Sequence, residues 1–295
     1  MKVYFPTYYK DFNCIADRCT HSCCIDWEIT LDADTAEKYR RLGEDYSSHL
    51  EDNSIALCED GRCPFLMANG LCRIIANHGE EMLSEICHHH PRFYHRVGDR
   101  VEGGIGISCE EAARIVLSSD GYADMISEQR DCQWSDESDF DTISHRQKIY
   151  SILCDRGFPL ALRLDKIKEQ YGLTELSFTD DDYNSMLSEL EYLHSENIVR
   201  LCVGAREKNE ANSPILERFF AYLVFRHISV ADSYDNLRAR LAFCILLLLV
   251  LENFTARGES SFYETVDFAR MISEEIEYSE DNTASLIFEF ETEMI

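Results

Sequence analysis

Proline and glycine are scarce in this chain of 295 residues, at 5 and 13. That scarcity excludes a fibrous repeat, and a hydrophobic content of 45% excludes a disordered chain. Basic side chains are also few: 28 Lys and Arg face 55 Asp and Glu, for a formal net charge of −27 and a pI near 4.6. A surface of that sign repels phosphate backbones, so no nucleic-acid partner is expected and basic partners suit it better. The opening residues, Met1-Lys2-Val3-Tyr4-Phe5-Pro6, contain no apolar leader followed by a small-residue cleavage site. Long apolar runs are absent as well. The longest, Leu241 to Leu251, has eleven residues, where a spanning helix needs about 20, so it reads as a buried core helix. The expectation is a cytoplasmic protein with no membrane segment. Structural disulfides are not expected in that reducing compartment, which leaves thirteen cysteines to be explained.

Nine of the thirteen lie within the first 109 residues: Cys14, Cys19, Cys23, Cys24, Cys58, Cys63, Cys72, Cys87 and Cys109. Local signals there are short and mixed. Trp27 to Leu31 alternates like a strand, and Asp32 or Asp34 can cap a helix through Arg40. Pro64-Phe65-Leu66 and Leu71-Cys72-Arg73-Ile74 flank Asn69-Gly70, which predicts a hairpin that brings Cys63 and Cys72 together. Gly79 to Ile86 reads as an amphipathic helix ending before Pro91. A second hairpin pairs Phe93–Val97 with Val101–Ile107 around Gly98-Asp99, and Ser108 caps a helix through Leu117. Beyond about residue 120 the pattern becomes helical, with periodic stretches at 143–164, 183–193, 215–228, 237–253 and 262–276. The acidic tract Asp131 to Asp141 is the boundary candidate. The predicted fold class is α+β, mostly α: an irregular cysteine-rich domain with short hairpins (1–125) followed by a helical bundle (140–295).

The dense cysteine signal is Cys14-x4-Cys19-x3-Cys23-Cys24, continued by Cys63, Cys72, Cys87 and Cys109. Thiolates three to five residues apart on a loop can converge on one centre, and a metal keeps them ionised. Soft sulfur selects zinc or iron–sulfur. No C-x2-C knuckle of an ordinary zinc site is present, which tilts the choice toward iron–sulfur. Cys58 lies in an acidic turn and is the weaker ligand candidate. Cys132, Cys154, Cys202 and Cys244 lack cysteine neighbours in sequence and read as small buried hydrophobes. His88, His89 and His90 cannot easily converge on one ion and read as the polar exit of a helix. Trp27, Tyr8, Tyr9, Phe93 and Tyr94 form either an aromatic wall for a cationic lysine side chain or plain core. No G-x-G-x-x-G follows a strand, the nearest run being Gly103-Gly104-Ile105-Gly106. Nor is there a C-x3-C-x2-C triad, because position 26 is Asp.

The string Tyr9-x-Asp11-Phe12-x-Cys14-x4-Cys19-x3-Cys23-Cys24-x2-Trp27-x-Ile29, with Cys63-Pro64-Phe65-Leu66, Asn69-Gly70-Leu71-Cys72-x-Ile74, Cys87-x3-Pro91-Arg92 and Ser108-Cys109-x-Glu111, resembles the flagellin lysine-N-methylase family. More distantly, it is similar to small cysteine-cluster proteins grouped as zinc- or iron-chelating. The likeness covers roughly residues 8–118. It implies transfer of a methyl group from S-adenosylmethionine to lysine amines of flagellin. It also implies an iron–sulfur cluster, [4Fe-4S], drawing ligands from Cys14, Cys19, Cys23, Cys24, Cys63, Cys72, Cys87 and Cys109, with zinc as the alternative. Which of these ligate, and whether in one cluster or two, is left open by spacing. No catalytic residue and no cofactor pocket is indicated. The rival reading is a non-enzymatic zinc- or iron–sulfur-binding module with a helical partner-binding part.

Overall fold

The structure is a computed structural model that describes residues 2–130, 140–192, 194–202, 214–256 and 260–292. The acidic tract expected to mark a boundary lies outside the described residues up to position 139, as does Cys132. The class is α+β and mostly α.

A four-stranded sheet has the order β5-β6-β1-β7. Its strands are β1 (Lys2–Pro6), β5 (Arg92–Val97), β6 (Arg100–Ile105) and β7 (Met125–Gln129). The hairpin β5-β6 turns at Gly98-Asp99 as the sequence predicts, with Gly98 at φ +59°. β1 and β7, which carry no hairpin signal of their own, join it: β1 runs parallel to β6 and antiparallel to β7. A small second sheet, β2-β4-β3, comprises β2 (Ile29–Thr30), β3 (Leu50–Glu51) and β4 (Ser54–Ile55).

Short helices punctuate the N-terminal part: α1 (Ala33–Arg41), α2 (Glu44–Ser47), α3 (Arg73–His78), α4 (Glu85–His89) and α5 (Glu110–Ser118). The Asp32 side chain accepts from the Thr35 amide at 2.8 Å and so caps α1. Three local readings are corrected. The hairpin at 64–74 contracts to a single Leu66–Cys72 bridge, because Arg73 to His78 goes into α3. The helix expected over 79–86 divides into a 3₁₀ turn at 80–82 and α4, whose N-cap is Ser84. The N-cap of α5 is Cys109, not Ser108.

The rest is helical: α6 (Thr142–Leu153), α7 (Leu160–Gln170), α8 (Asp180–Ser188), α9 (Asn197–Leu201), α10 (Pro214–Leu223), α11 (Tyr234–Ala256), α12 (Phe262–Ile272) and α13 (Glu280–Thr292). The stretch 143–164 is two helices, since Pro159 stands at the N-cap of the second. α10 and α12 each run on into a π-helical turn, at Val224–Ile228 and Ser273–Glu277. α11 is longer than its apolar run and is apolar and long enough to cross a membrane, but two-thirds of its most apolar window is buried inside the protein. It is packed as the central core helix, with Phe243, Leu246, Leu247 and Leu251 fully enclosed.

Two hydrophobic clusters result. The main one runs from Val3, Phe5, Val101 and Ile105 of the sheet through α5 into the helices. A satellite cluster of Ile29, Leu31, Ala36, Tyr39, Tyr46, Ile55, Phe65 and Ile74 lies under the cysteine-rich loops. Buried ion pairs bind the sheet and the loop after α5 to the helices. Arg146 of α6 holds Glu102 of β6, with Nη2–Oε1 at 2.7 Å, and Glu217 of α10 accepts from Arg163 and Tyr122, both at 2.7 Å.

Candidate metal centre

The neighbours of the eight cysteines singled out by spacing fall into two groups: Cys19 and Cys23 lie near Cys14 and Cys109, and Cys63 and Cys87 lie near Cys72 and Cys24.

The first group is Cys14, Cys19, Cys23 and Cys109. Cys109 stands at the N-cap of α5, a position whose helix dipole favours a thiolate. The next residue, Glu110, draws in the opposite loop. Its Oε2 accepts from the Thr20 amide at 2.8 Å, the Thr20 hydroxyl at 2.7 Å and the His21 amide at 3.0 Å, which holds the segment after Cys19 against α5. Burial pushes the Cys19 thiol up to about 12, and Cys109, Glu110, Cys14 and Cys24 push in the same direction.

The second group is Cys24, Cys63, Cys72 and Cys87. The Cys63 amide donates to the Cys24 carbonyl at 2.8 Å, beside an Ile25–Arg62 bridge. Cys72 stands at the N-cap of α3. Cys63, Cys72 and Cys87 pack on the satellite cluster. Burial raises Cys63 to about 12, with Cys24, Cys87 and Cys72 adding to it. Cys23 and Cys24 share a hydrogen bond, which lowers Cys24 to about 7 and raises Cys23.

In each group burial, with neighbouring thiols adding to it, keeps sulfurs protonated. A thiophilic cation reverses that effect. Among the described residues the trio of ligand atoms lying within 4.8 Å of one another is His194, Glu274 and Glu275, and no trio of cysteines is that close. Tetrahedral zinc with Zn–S near 2.3 Å requires sulfurs about 3.8 Å apart. Among the described residues no three of the thiols as placed meet that spacing. The His194 trio is satisfied internally: Glu274 accepts from Arg270 at 2.8 Å, and Glu275 from Asn197 at 2.7 Å and from the His194 amide.

The first group opens on a small cavity of about 70 Å³ lined by His21, Cys23, Ile25, Trp27, His90, Ser108, Glu274 and Tyr278. His90 stacks near Trp27 at 4.8 Å and Tyr278 at 6.3 Å. Burial and Arg92 hold its imidazole down to about 4, so it is neutral. His90 Nε2 and Ser108 Oγ are buried with no hydrogen-bond partner. His90 thus parts company with His88 and His89, which are exposed at the end of α4 as expected.

Glu274 of the second π-helical turn and Tyr278 just after it complete the lining, and a buried charge network lies behind them. Glu277 ion-pairs with Arg226 Nε at 2.9 Å and accepts from Tyr222 at 2.8 Å, His227 at 3.1 Å and Ser273 at 2.6 Å. Arg226 stacks on Phe93 and Tyr278 at 4.7 and 4.8 Å. None of Glu277, Arg226 and Tyr278 carries a motif; the only signal available in sequence was the placement of charge inside apolar helical stretches. Within the aromatic set, Tyr8 and Tyr9 are core, and Phe93 and Tyr94 pack against core beside Arg226 and Arg130. Only Trp27 faces the cavity.

Other readings change. Cys154 is exposed and Cys202 half-buried, so of the cysteines assigned to the interior and described here only Cys244 is fully enclosed. Gly103, Gly104 and Gly106 make no phosphate loop. They are places where Phe5 and Tyr94, Phe93, and Tyr278 lie too close to the backbone for a Cβ, at 2.6, 2.4 and 2.3 Å.

Against known proteins, the FliU flagellar biosynthetic protein of Salmonella muenchen is 29% identical over 161 residues, covering 50% of this chain and 94% of that one. Proteins named lysine-N-methylase from Salmonella choleraesuis and Salmonella typhimurium are each 28% identical over 166 residues, again half of this chain. Over that half, the chain is similar to proteins named lysine-N-methylase. It covers only 40% of the length of those two lysine-N-methylases. No family model matches it, and no solved structure does.

Proposed function

We propose that the protein is a cytoplasmic methyltransferase that moves the methyl group of S-adenosylmethionine to lysine ε-amines of a protein substrate, flagellin, and that its thiols hold iron–sulfur. The observation that supports this reading is a cavity lined by Cys23, Trp27, Tyr278 and Glu274, with Cys14, Cys19 and Cys109 among the neighbours of the Cys23 group. Methyl transfer needs a neutral amine, although a free lysine has a pKa near 10.4, so the site must strip water from it and take its proton. Trp27 and Tyr278 offer ring faces to a lysine cation, and Glu274 stands at the same cavity to attract it. Neutral His90 and the Ser108 hydroxyl are the unpartnered polar groups able to hold the amine in place. When the amine nitrogen attacks, its lone pair forms the new N–CH₃ bond, the S–CH₃ electron pair returns to sulfur, and the displaced proton leaves to solvent.

Iron–sulfur fits the donor set, and Cys14, Cys19, Cys23, Cys24, Cys63, Cys72, Cys87 and Cys109 would hold it. When bound it supplies a soft Lewis-acidic iron at the edge of the cavity. The FliU name of one relative supports a flagellar substrate, and the −27 charge favours a lysine-bearing partner.

The test is mass spectrometry of flagellin incubated with anaerobically purified protein and S-adenosylmethionine. The reading expects mass gains of one or more methyl groups on lysine, lost when Cys19 or Cys109 is changed to Ser. An unmodified flagellin overturns it.

A further inference from the structure

We propose that the eight cysteines form two separate iron–sulfur centres of unlike role. An outer centre on Cys14, Cys19, Cys23 and Cys109 opens on the cavity, and an inner centre on Cys24, Cys63, Cys72 and Cys87 staples the satellite core. The proposal rests on the iron–sulfur reading above.

Three observations carry it. The first is the partition itself. The neighbours of Cys63 and Cys87 are Cys24 and members of their own set, and those of Cys109 and Cys23 include Cys14 but none of Cys63, Cys72 or Cys87. The two sets meet at Cys23-Cys24, whose thiols are hydrogen-bonded to each other, and at a contact from Cys19 to Cys24. The second is that each set has its own cysteine at a helix start, Cys109 on α5 and Cys72 on α3. A single centre would leave one of these prepared thiolate positions without a cation. The third is where each set sits. Cys109 packs on the main core and Cys23 lines the cavity, while Cys63, Cys72 and Cys87 pack on the satellite core.

That satellite core contains only eight buried residues, too few to be stable alone, and small cores of this kind depend on metals or disulfides. The inner set supplies the staple. The loop that joins the sets is itself held under strain: Ala16 and Asp26 have φ of +51° and +59° without being glycine, conformations that persist only when their surroundings impose them. Asp26 is held there by its amide bond to the Gly61 carbonyl at 2.8 Å.

The experiment counts iron and acid-labile sulfide per chain in the full-length protein purified without oxygen, alongside visible absorption and EPR after reduction. It compares the wild type with a Cys19→Ser/Cys109→Ser pair and a Cys63→Ser/Cys87→Ser pair. The outer pair of changes is expected to halve the iron, leave one reducible centre and keep the melting temperature. The inner pair is expected to lower the melting temperature, and where it prevents folding the outer pair alone decides. Iron unchanged or wholly lost in the outer variant overturns the two-centre assignment while leaving the iron–sulfur reading intact. Zinc in place of iron in the inner set also overturns it. A wild type that binds no iron overturns the reading on which it rests.

Discussion

Glu277→Gln tests the buried network that lies behind Tyr278. Glu277 is buried, and the carboxylate takes four donors, from Arg226, Tyr222, His227 and Ser273. Although burial alone would raise its pKa, Arg226 and His227 bring it down to about 2 from an ordinary 4.5. A depression of about 2.5 units corresponds to about 3 kcal/mol of stability at neutral pH. An independent figure agrees: removing one partner of a buried charge pair costs about 3–5 kcal/mol, because the remaining charge has no counter-ion. The amide substitute keeps the shape and an acceptor oxygen but not the charge, so a loss of about 3 kcal/mol is expected at pH 7. The sign with pH follows from a depressed carboxylate. Its contribution is complete above the unfolded pKa and fades as pH falls from about 4.5 toward 2. The difference between wild type and variant should therefore shrink to about half by pH 3. Urea unfolding followed by far-ultraviolet circular dichroism at pH 7, 5, 4 and 3 measures it. A loss below about 1 kcal/mol at pH 7, or a gap that stays constant down to pH 3, refutes the reasoning.

Further outcomes are expected elsewhere. Gly104→Ala puts a Cβ 2.4 Å from Phe93 and should destabilise by about 1–3 kcal/mol, read as a lower melting temperature; an unchanged value would mean that Phe93 moves aside freely. Glu110→Ala frees Thr20 and His21 from α5, so Cys19 in metal-free protein should react faster with a thiol reagent while Cys63 does not. His90→Ala should lower the rate of lysine methylation by about 10- to 100-fold with little effect on melting; full activity removes His90 from the cavity chemistry. Arg146→Met breaks the pair with Glu102 and should cost about 3–5 kcal/mol, visible in the same urea assay.

The cysteine spacing by itself marked Cys14, Cys19, Cys23 and Cys24 as able to converge, because a short loop restricts where they can go. Periodicity determined most helices, and Gly98-Asp99 determined the β5-β6 turn. Local patterns failed where a residue serves two masters. Leu71 to Ile74 looks like a returning strand, yet Cys72 is more useful as the cap of α3, and Ser108 yields its capping role to Cys109. Only the tertiary structure divided the cysteines into two sets, since Cys23 and Cys24 are adjacent in the chain yet have different thiols for neighbours. Only the tertiary structure, too, brought Tyr278 and Glu274 from the far end of the sequence to face Trp27 and His90. Pairings across more than 180 residues leave no local pattern. They are made by burial of α10, α11 and α12 against the sheet, and by a buried charge network that no stretch of sequence contains whole.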